Sequence, residues 1–266
     1  RYPGGYARVP PRVYGGTMKF LEYVLAGLGV GVVFGLFGAG GSAFATPVLA
    51  VLGVPGLLAV ASPLPAMVPA AFVSARRYLK AGNLDRRVAR LAIGGGVPGT
   101  LLGALASQLV GGNGLLILSG VLLLGIGARM LVRDRVGAAE RAAGRRERTG
   151  VVVGSAFGVG LLTGLLANGG GFLLVPVFVL VLGLTAAEAA GTSMVVVGVL
   201  TIPTLASHWA LGHIDWTVAS GFALGLIPAS LVGARLAQKV SSAQSRLAFG
   251  TMLIVFSVWF LIRQLT

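Results

Sequence analysis

Residues 31–47, GVVFGLFGAGGSAFATP, decide the fold. The stretch begins apolar, breaks at Gly38-Ala39-Gly40-Gly41-Ser42, and resumes apolar through Pro47. Residues 160–176, GLLTGLLANGGGFLLVP, repeat it. Gly31, Gly35, Gly40, Gly41 and Pro47 return as Gly160, Gly164, Gly169, Gly170 and Pro176, at a constant offset of 129 residues. Two hydrophobic segments, broken at matching glycines in the two halves of a chain, are the pattern of a duplicated membrane transporter.

The composition around these stretches agrees. The chain is 56% hydrophobic and 11% charged, with a mean hydropathy of +0.91. A soluble protein of this size shows water far more charge. Apolar runs of membrane-spanning length recur from about Phe20 onward. They do not alternate polar and apolar with period two, which argues against a barrel. The fold class is therefore an all-α polytopic membrane protein, with the lipid bilayer as its partner. The 43 glycines suit close helix packing in lipid, as in the spacings Gly31/Gly35, Gly99/Gly103 and Gly160/Gly164. The net charge of +14 sits in short loops, where the positive-inside rule puts it, so no nucleic acid is expected. Without cysteine there is no disulfide, thiolate catalysis or iron–sulfur ligation.

Four regions follow. Residues 1–17 read as a flexible tail, with Met18 a candidate native start. Residues 18–132 form a first membrane repeat, 133–150 a basic cytoplasmic linker, and 151–266 a second repeat. Each repeat holds five apolar segments. They run about 20–37, 43–54, 57–75, 88–109 and 114–132, then about 151–167, 172–184, 187–207, 217–236 and 244–262. Gly82-Asn83-Leu84-Asp85 returns as Gly212-His213-Ile214-Asp215 at an offset of 130, as do Pro98 and Gly103 as Pro228 and Gly233.

Topology turns on the second segment of each half. As an α-helix it is only about 18–20 Å long, short of the roughly 30 Å hydrocarbon core. If it crosses with extended ends, each half has five spans and the halves are inverted. If it is re-entrant, each half has four and the halves are parallel. The five-span reading puts the basic runs 76–90 and 129–148, and the loop with Arg235, Lys239 and Arg246, on one side. It is favoured on that ground.

The glycine breaks are the first candidate site. A helix that restarts inside a membrane exposes unpaired N–H groups and a dipole equivalent to about half a positive charge. Such an end binds anions without burying a full charge. Gly40, Gly41 and Ser42 supply one such end, and Asn168, Gly169, Gly170 and Gly171 the other. Ser62 in the first half, and Thr192 and Ser193 in the second, are matching hydroxyls. They either close over the same ligand or bond their own helix carbonyls. Glu22 and Glu188 lie near segment starts, and Asp85 and Asp215 read as helix N-caps. None of the seven acidic residues is plainly at mid-membrane, so carboxylate-based ion coupling is not visible. His208 and His213 lack further metal ligands. A pH-sensitive gate is the more specific role open to them. No catalytic constellation, metal site or cofactor motif is present, so the chain is not expected to be an enzyme.

These residues carry a resemblance. GLFGAGGSAFATPVL at 35–49, GLLANGGGFLLVPVF at 164–178, AGTS at 190–193, and the sequences at 82–85 and 212–215 resemble the sulfite exporter TauE/SafE family of membrane permeases. The likeness covers about residues 20–264. Ser42 stands where that family commonly has a third glycine, and Ala61-Ser62-Pro63 stands for Ala-Gly-Thr. The resemblance implies a multi-pass protein of the cytoplasmic membrane that moves a small sulfur-containing or organic anion of the sulfite, thiosulfate or sulfonate type. A secondary transporter working by alternating access is the expectation, with a homodimer open to it. A passive anion channel and a non-transporting assembly factor are the alternatives.

Overall fold

A computed structural model describes residues 16–106, 112–132, 148–166 and 171–265. Most of the 1–17 tail and of the 133–150 linker lies outside these residues. Among the described residues every regular element is a helix. In chain order they are α1 (Thr17–Leu36), a 3₁₀ stretch (Gly38–Phe44), α2 (Ala45–Val51), α3 (Gly56–Ala61), α4 (Leu64–Lys80), α5 (Arg86–Ala106) and α6 (Gly112–Val132). The second half holds α7 (Thr149–Leu166), α8 (Gly171–Leu180), α9 (Ala186–Ala210), α10 (Trp216–Ala237) and α11 (Ser242–Leu265). Among the described residues six helices are long and apolar enough to cross a membrane: 17–36, 56–80, 86–106, 186–210, 216–237 and 243–262. Their outer faces carry exposed apolar side chains such as Leu25, Leu105, Leu224 and Val255, as lipid requires.

α1 stops where Gly38 takes φ +70°, a left-handed conformation that ends a helix. The chain then restarts as the 3₁₀ stretch. A 3₁₀ helix rises about 2.0 Å per residue against about 1.5 Å in an α-helix. The 3₁₀ stretch plus α2 therefore covers roughly 25 Å. The Lys19 ammonium, in the first turn of α1, donates to the Leu52 carbonyl at 3.4 Å. The second segment therefore runs back along the length of α1. Its reach exceeds the all-α expectation because half of it is 3₁₀.

The halves interlock. α1 lies along α10, with Gly31 against Leu226 and Gly35 against Ser230. The register rises together on both helices, so they run parallel. α5 and α7 make the reciprocal pair, with Gly99 against Phe157 and Gly103 against Leu161. A Cβ at Gly35 or Gly103 would enter the facing backbone. The three spacings singled out in the sequence all lie at these two seams, where small residues let backbones touch. α6 and α11 pack antiparallel, Gly120 beside Leu261 and Gly127 beside Ile254. α4 and α9 are antiparallel too, with Gly198 beside Phe72 and Gly191 beside Tyr78.

The third segments differ. In the first half Pro63, which lacks an N–H, divides the segment into α3 and α4 at Ser62. In the second half Thr192 and Ser193 sit inside one continuous helix, started by a Thr185/Glu188 capping box.

Candidate functional site

The first break meets the start of α8 inside the bundle. Gly171, the first residue of α8, lies against Ala39 of the 3₁₀ stretch, and a Cβ there would collide with the Ala39 carbonyl. Gly38 abuts α9. A Cβ on it would lie 2.6 Å from the Ala190 Cα and 2.8 Å from the Ser193 hydroxyl oxygen. Ser193 thus reaches the first break, with its own hydroxyl donating to the Ala190 carbonyl at 2.9 Å. From the other side α11 closes in, Phe249 on Phe37 at 5.1 Å and Phe256 on Phe44 at 4.6 Å between ring centroids.

Gly40, Gly41 and Ser42 lie within the 3₁₀ stretch. Ser42 is fully buried and its hydroxyl has no hydrogen-bond partner. An unmade bond of this kind costs about 1–3 kcal/mol, so the group stands ready for a partner that arrives with a ligand. Asn168, Gly169 and Gly170 lie outside the described residues.

Ser62 and Thr192 hold the scaffold instead. The Asp215 backbone N–H donates to the Ser62 hydroxyl at 3.0 Å, and the Asp85 N–H donates to Thr192 at 3.0 Å. Each aspartate side chain then caps its own helix. Asp85 accepts from the N–H groups of Arg87 and Val88, and Asp215 from those of Thr217 and Val218. Each third segment thereby pins the start of the other half's fourth.

Sequence reasoning missed Tyr78. This buried residue of α4 donates its phenol hydroxyl to the Gly35 carbonyl at 2.8 Å and lies 3.3 Å from that of Leu36. It covers the carbonyl end that the break leaves bare. The signal was present: Tyr78 precedes Gly82 by four residues, as His208 precedes Gly212.

The histidines, expected to sit on different faces, do touch. Their Nδ1 atoms are 3.1 Å apart. The chain turns back at Gly212, φ +71°, and His213 donates its N–H to the His208 carbonyl. Burial lowers the pKa of His213 below its usual value near 6.5. Among the described residues no group of three His, Asp or Glu side chains could hold a metal. Glu22 pairs with Lys19 at 2.9 Å, and Glu188 belongs to the cap of α9. Among the described residues, the groups gathered at the first break and the start of α8 are hydroxyls, backbone and aromatic rings, suited to holding a small anion by hydrogen bonds.

The sequence matches the family described as sulfite exporter TauE/SafE over residues 23–260. A probable membrane transporter protein of Xylella fastidiosa (strain 9a5c) is 30% identical over 236 residues, 86% of this chain and 90% of its own length. The probable membrane transporter protein YunE of Bacillus subtilis (strain 168) is 26% identical over 247 residues, 84% of this chain and 89% of its own. No solved structure matches. With a matching glycine stretch in the sequence of each half, an interlocked helical bundle and this likeness along most of its length, the chain belongs to the sulfite exporter TauE/SafE family of membrane transporters.

Proposed function

We propose that this protein is a secondary transporter of a small sulfur-containing or organic anion, of the sulfite, thiosulfate or sulfonate type. The anion binds where the first break meets the start of α8. Ser42 carries the reading: it is a fully buried hydroxyl with no partner, beside the contact of Ala39 with Gly171. The start of α8 adds free N–H groups and the positive end of a helix dipole. Gly40 and Gly41, in the same 3₁₀ stretch, belong to this site, and Ser193 borders it.

The repeats are inverted, with five crossings each. The antiparallel runs of α6 against α11 and of α4 against α9 support this, because a two-fold relation that reverses matching helices lies in the membrane plane. Alternating access then comes from the broken segments moving against the glycine seams. Cysteines introduced at Ala81 and Leu211, matching positions in a chain without native cysteine, label from opposite sides of the membrane. Labelling of both from one side sinks the inverted arrangement.

The anion reading is tested by thermal stability of the purified protein with sulfite, thiosulfate, sulfate, sulfoacetate, taurine and acetate at matched ionic strength. A ligand that binds only the folded state raises the melting temperature. A sulfur anion that stabilises more than chloride supports the site. A panel no better than chloride rejects it.

A further inference from the structure

The seam of α5 and α7 has its counterpart in the seam of α10 and α1, but the outer lips of the two seams differ. On α7, Gly150, Gly154 and Gly158 share one face at i, i+4 and i+8. That face lies one position on from Val153 and Phe157, which back onto Gly95 and Gly99. It therefore borders the seam. On α5, Gly94 forms the facing lip, one position before Gly95. Gly94, Gly150, Gly154 and Gly158 are exposed, and a Cβ on Gly94, Gly150, Gly154 or Gly158 would meet no atom of the described residues within 4 Å. Between the lips runs a shallow groove, about 12 Å long from Gly150 to Gly158. That is most of the roughly 15 Å of hydrocarbon in one leaflet.

Arginines stand at the mouth of this groove. Arg87 and Arg90 precede Gly94 by seven and four residues, on its face of α5. Arg148 directly precedes α7, and the seam register, Gly95 against Val153, sets Arg90 level with Arg148. Arg87 reaches across the seam, its Nη2 donating to the Thr149 hydroxyl at 3.4 Å. The Arg90 Nε donates to the Arg86 carbonyl at 3.3 Å. Arg87, Arg90 and Arg148 are all exposed. Of the acids at this end, Asp85 caps α5 and Glu188 caps α9.

At the other seam the matching positions are bulky or uncharged. Gly150, Gly154 and Gly158 correspond to Leu21, Leu25 and Gly29 on α1, and Gly94 to Leu224 on α10. The three leucines are exposed. Arg87 and Arg90 correspond to Thr217 and Ser220. Arg148 corresponds to Lys19, whose ammonium is paired with Glu22 at 2.9 Å. The shared packing of the seams thus requires neither the open glycines nor the arginines.

We propose that the groove of α5 and α7 binds one anionic glycerophospholipid. Its phosphate lies on Arg87, Arg90 and Arg148, and one acyl chain runs along the four glycines. Guanidinium groups hold phosphate oxygens through paired N–H donors. Basic clefts between spans recognise such headgroups on the cytoplasmic side, where the positive-inside rule puts this end of the bundle. The missing side chains leave a hydrocarbon chain the space that leucines occupy at the other seam. The lipid so bound covers a joint between the two halves. This inference is independent of the anion reading above.

The test is native mass spectrometry of the purified, delipidated full chain. The probes are dioleoylphosphatidylglycerol, dioleoylphosphatidylcholine and glycerol phosphate. The expected result is one phosphatidylglycerol retained per chain, about tenfold more tightly than phosphatidylcholine, with glycerol phosphate not retained. Arg90→Gln combined with Arg148→Gln, and separately Gly154→Leu, should each weaken phosphatidylglycerol about tenfold. Gly154→Leu enters open space, so the fold is kept. Arg235→Gln combined with Lys239→Gln removes the same charge from the end of α10 and should change nothing. Equal retention of the two lipids overturns the proposal. An equal loss from the α10 variant means diffuse attraction and overturns it too, as does retention that Gly154→Leu leaves unchanged. Glycerol phosphate held as tightly as the lipid means a free-phosphate site and overturns the lipid.

Discussion

At the broken end of α1 the first half has a tyrosine hydroxyl on two carbonyls; at the matching residue the second half has a histidine with a bare nitrogen. At the restart the difference is reversed, with Ser42 in the first half and Gly171 in the second. The residues that hold backbones together, Gly35 and Gly164, or Asp85 and Asp215, are the same in both halves. Those whose polar atoms face the interior differ. A duplicated scaffold can thus keep its seams and still offer a ligand two unlike ends.

The largest effect should come from the seams. Gly35→Leu and Gly164→Leu each drive a side chain into facing backbone, of Ser230 and of Thr100. A loss above about 3 kcal/mol is expected for either, seen as disappearance of the monodisperse peak on size exclusion. If one half tolerates the change, the seams are not equivalent.

Ser42→Ala tests the unlike ends. Removing an unsatisfied buried hydroxyl should stabilise the empty protein by about 1–2 kcal/mol and weaken anion binding roughly tenfold. A melting temperature that falls instead means that the hydroxyl already has a partner.

Tyr78→Phe uncaps α1 and should cost about 1–1.5 kcal/mol, a drop of roughly 2–5 °C. His208→Phe removes no cap, only the bond to half-buried His213, and should lower the melting temperature less. Equal losses from the two would erase the contrast between the halves.

Smallest are the cross-links between halves. Ser62→Ala and Thr192→Val each leave one partly buried aspartate N–H without its acceptor, and should cost about 0.5–1 kcal/mol. Denaturation that responds to only one of them would break the reciprocity of the caps.

Much of this was legible before the fold was known. Helix limits fell within a few residues of the apolar segments, because lipid demands long apolar runs and loops collect the charge. Asp85 and Asp215 were readable as caps, since their short carboxylates immediately precede helices. The reach of the second segment was not readable, because a 3₁₀ stretch leaves no apolar period distinct from an α-helix. Ser62 and Thr192 turned to the other half's aspartates, a long-range contact that no local spacing encodes. Histidines five residues apart do not share a helical face, yet the turn at Gly212 folds them together.

The glycine seams also bear on how the protein is made. α1 emerges from the ribosome about 200 residues before the end of α10, its parallel partner. At about 5–20 residues per second, it waits roughly 10–40 s in the membrane with its glycine groove unfilled. A ribosome that stops after α6 leaves α1 and α5 both without partners, so the first half alone should be a substrate for membrane quality-control proteases. Supplying the second half from a separate message should rescue it, since each seam joins one piece to the other.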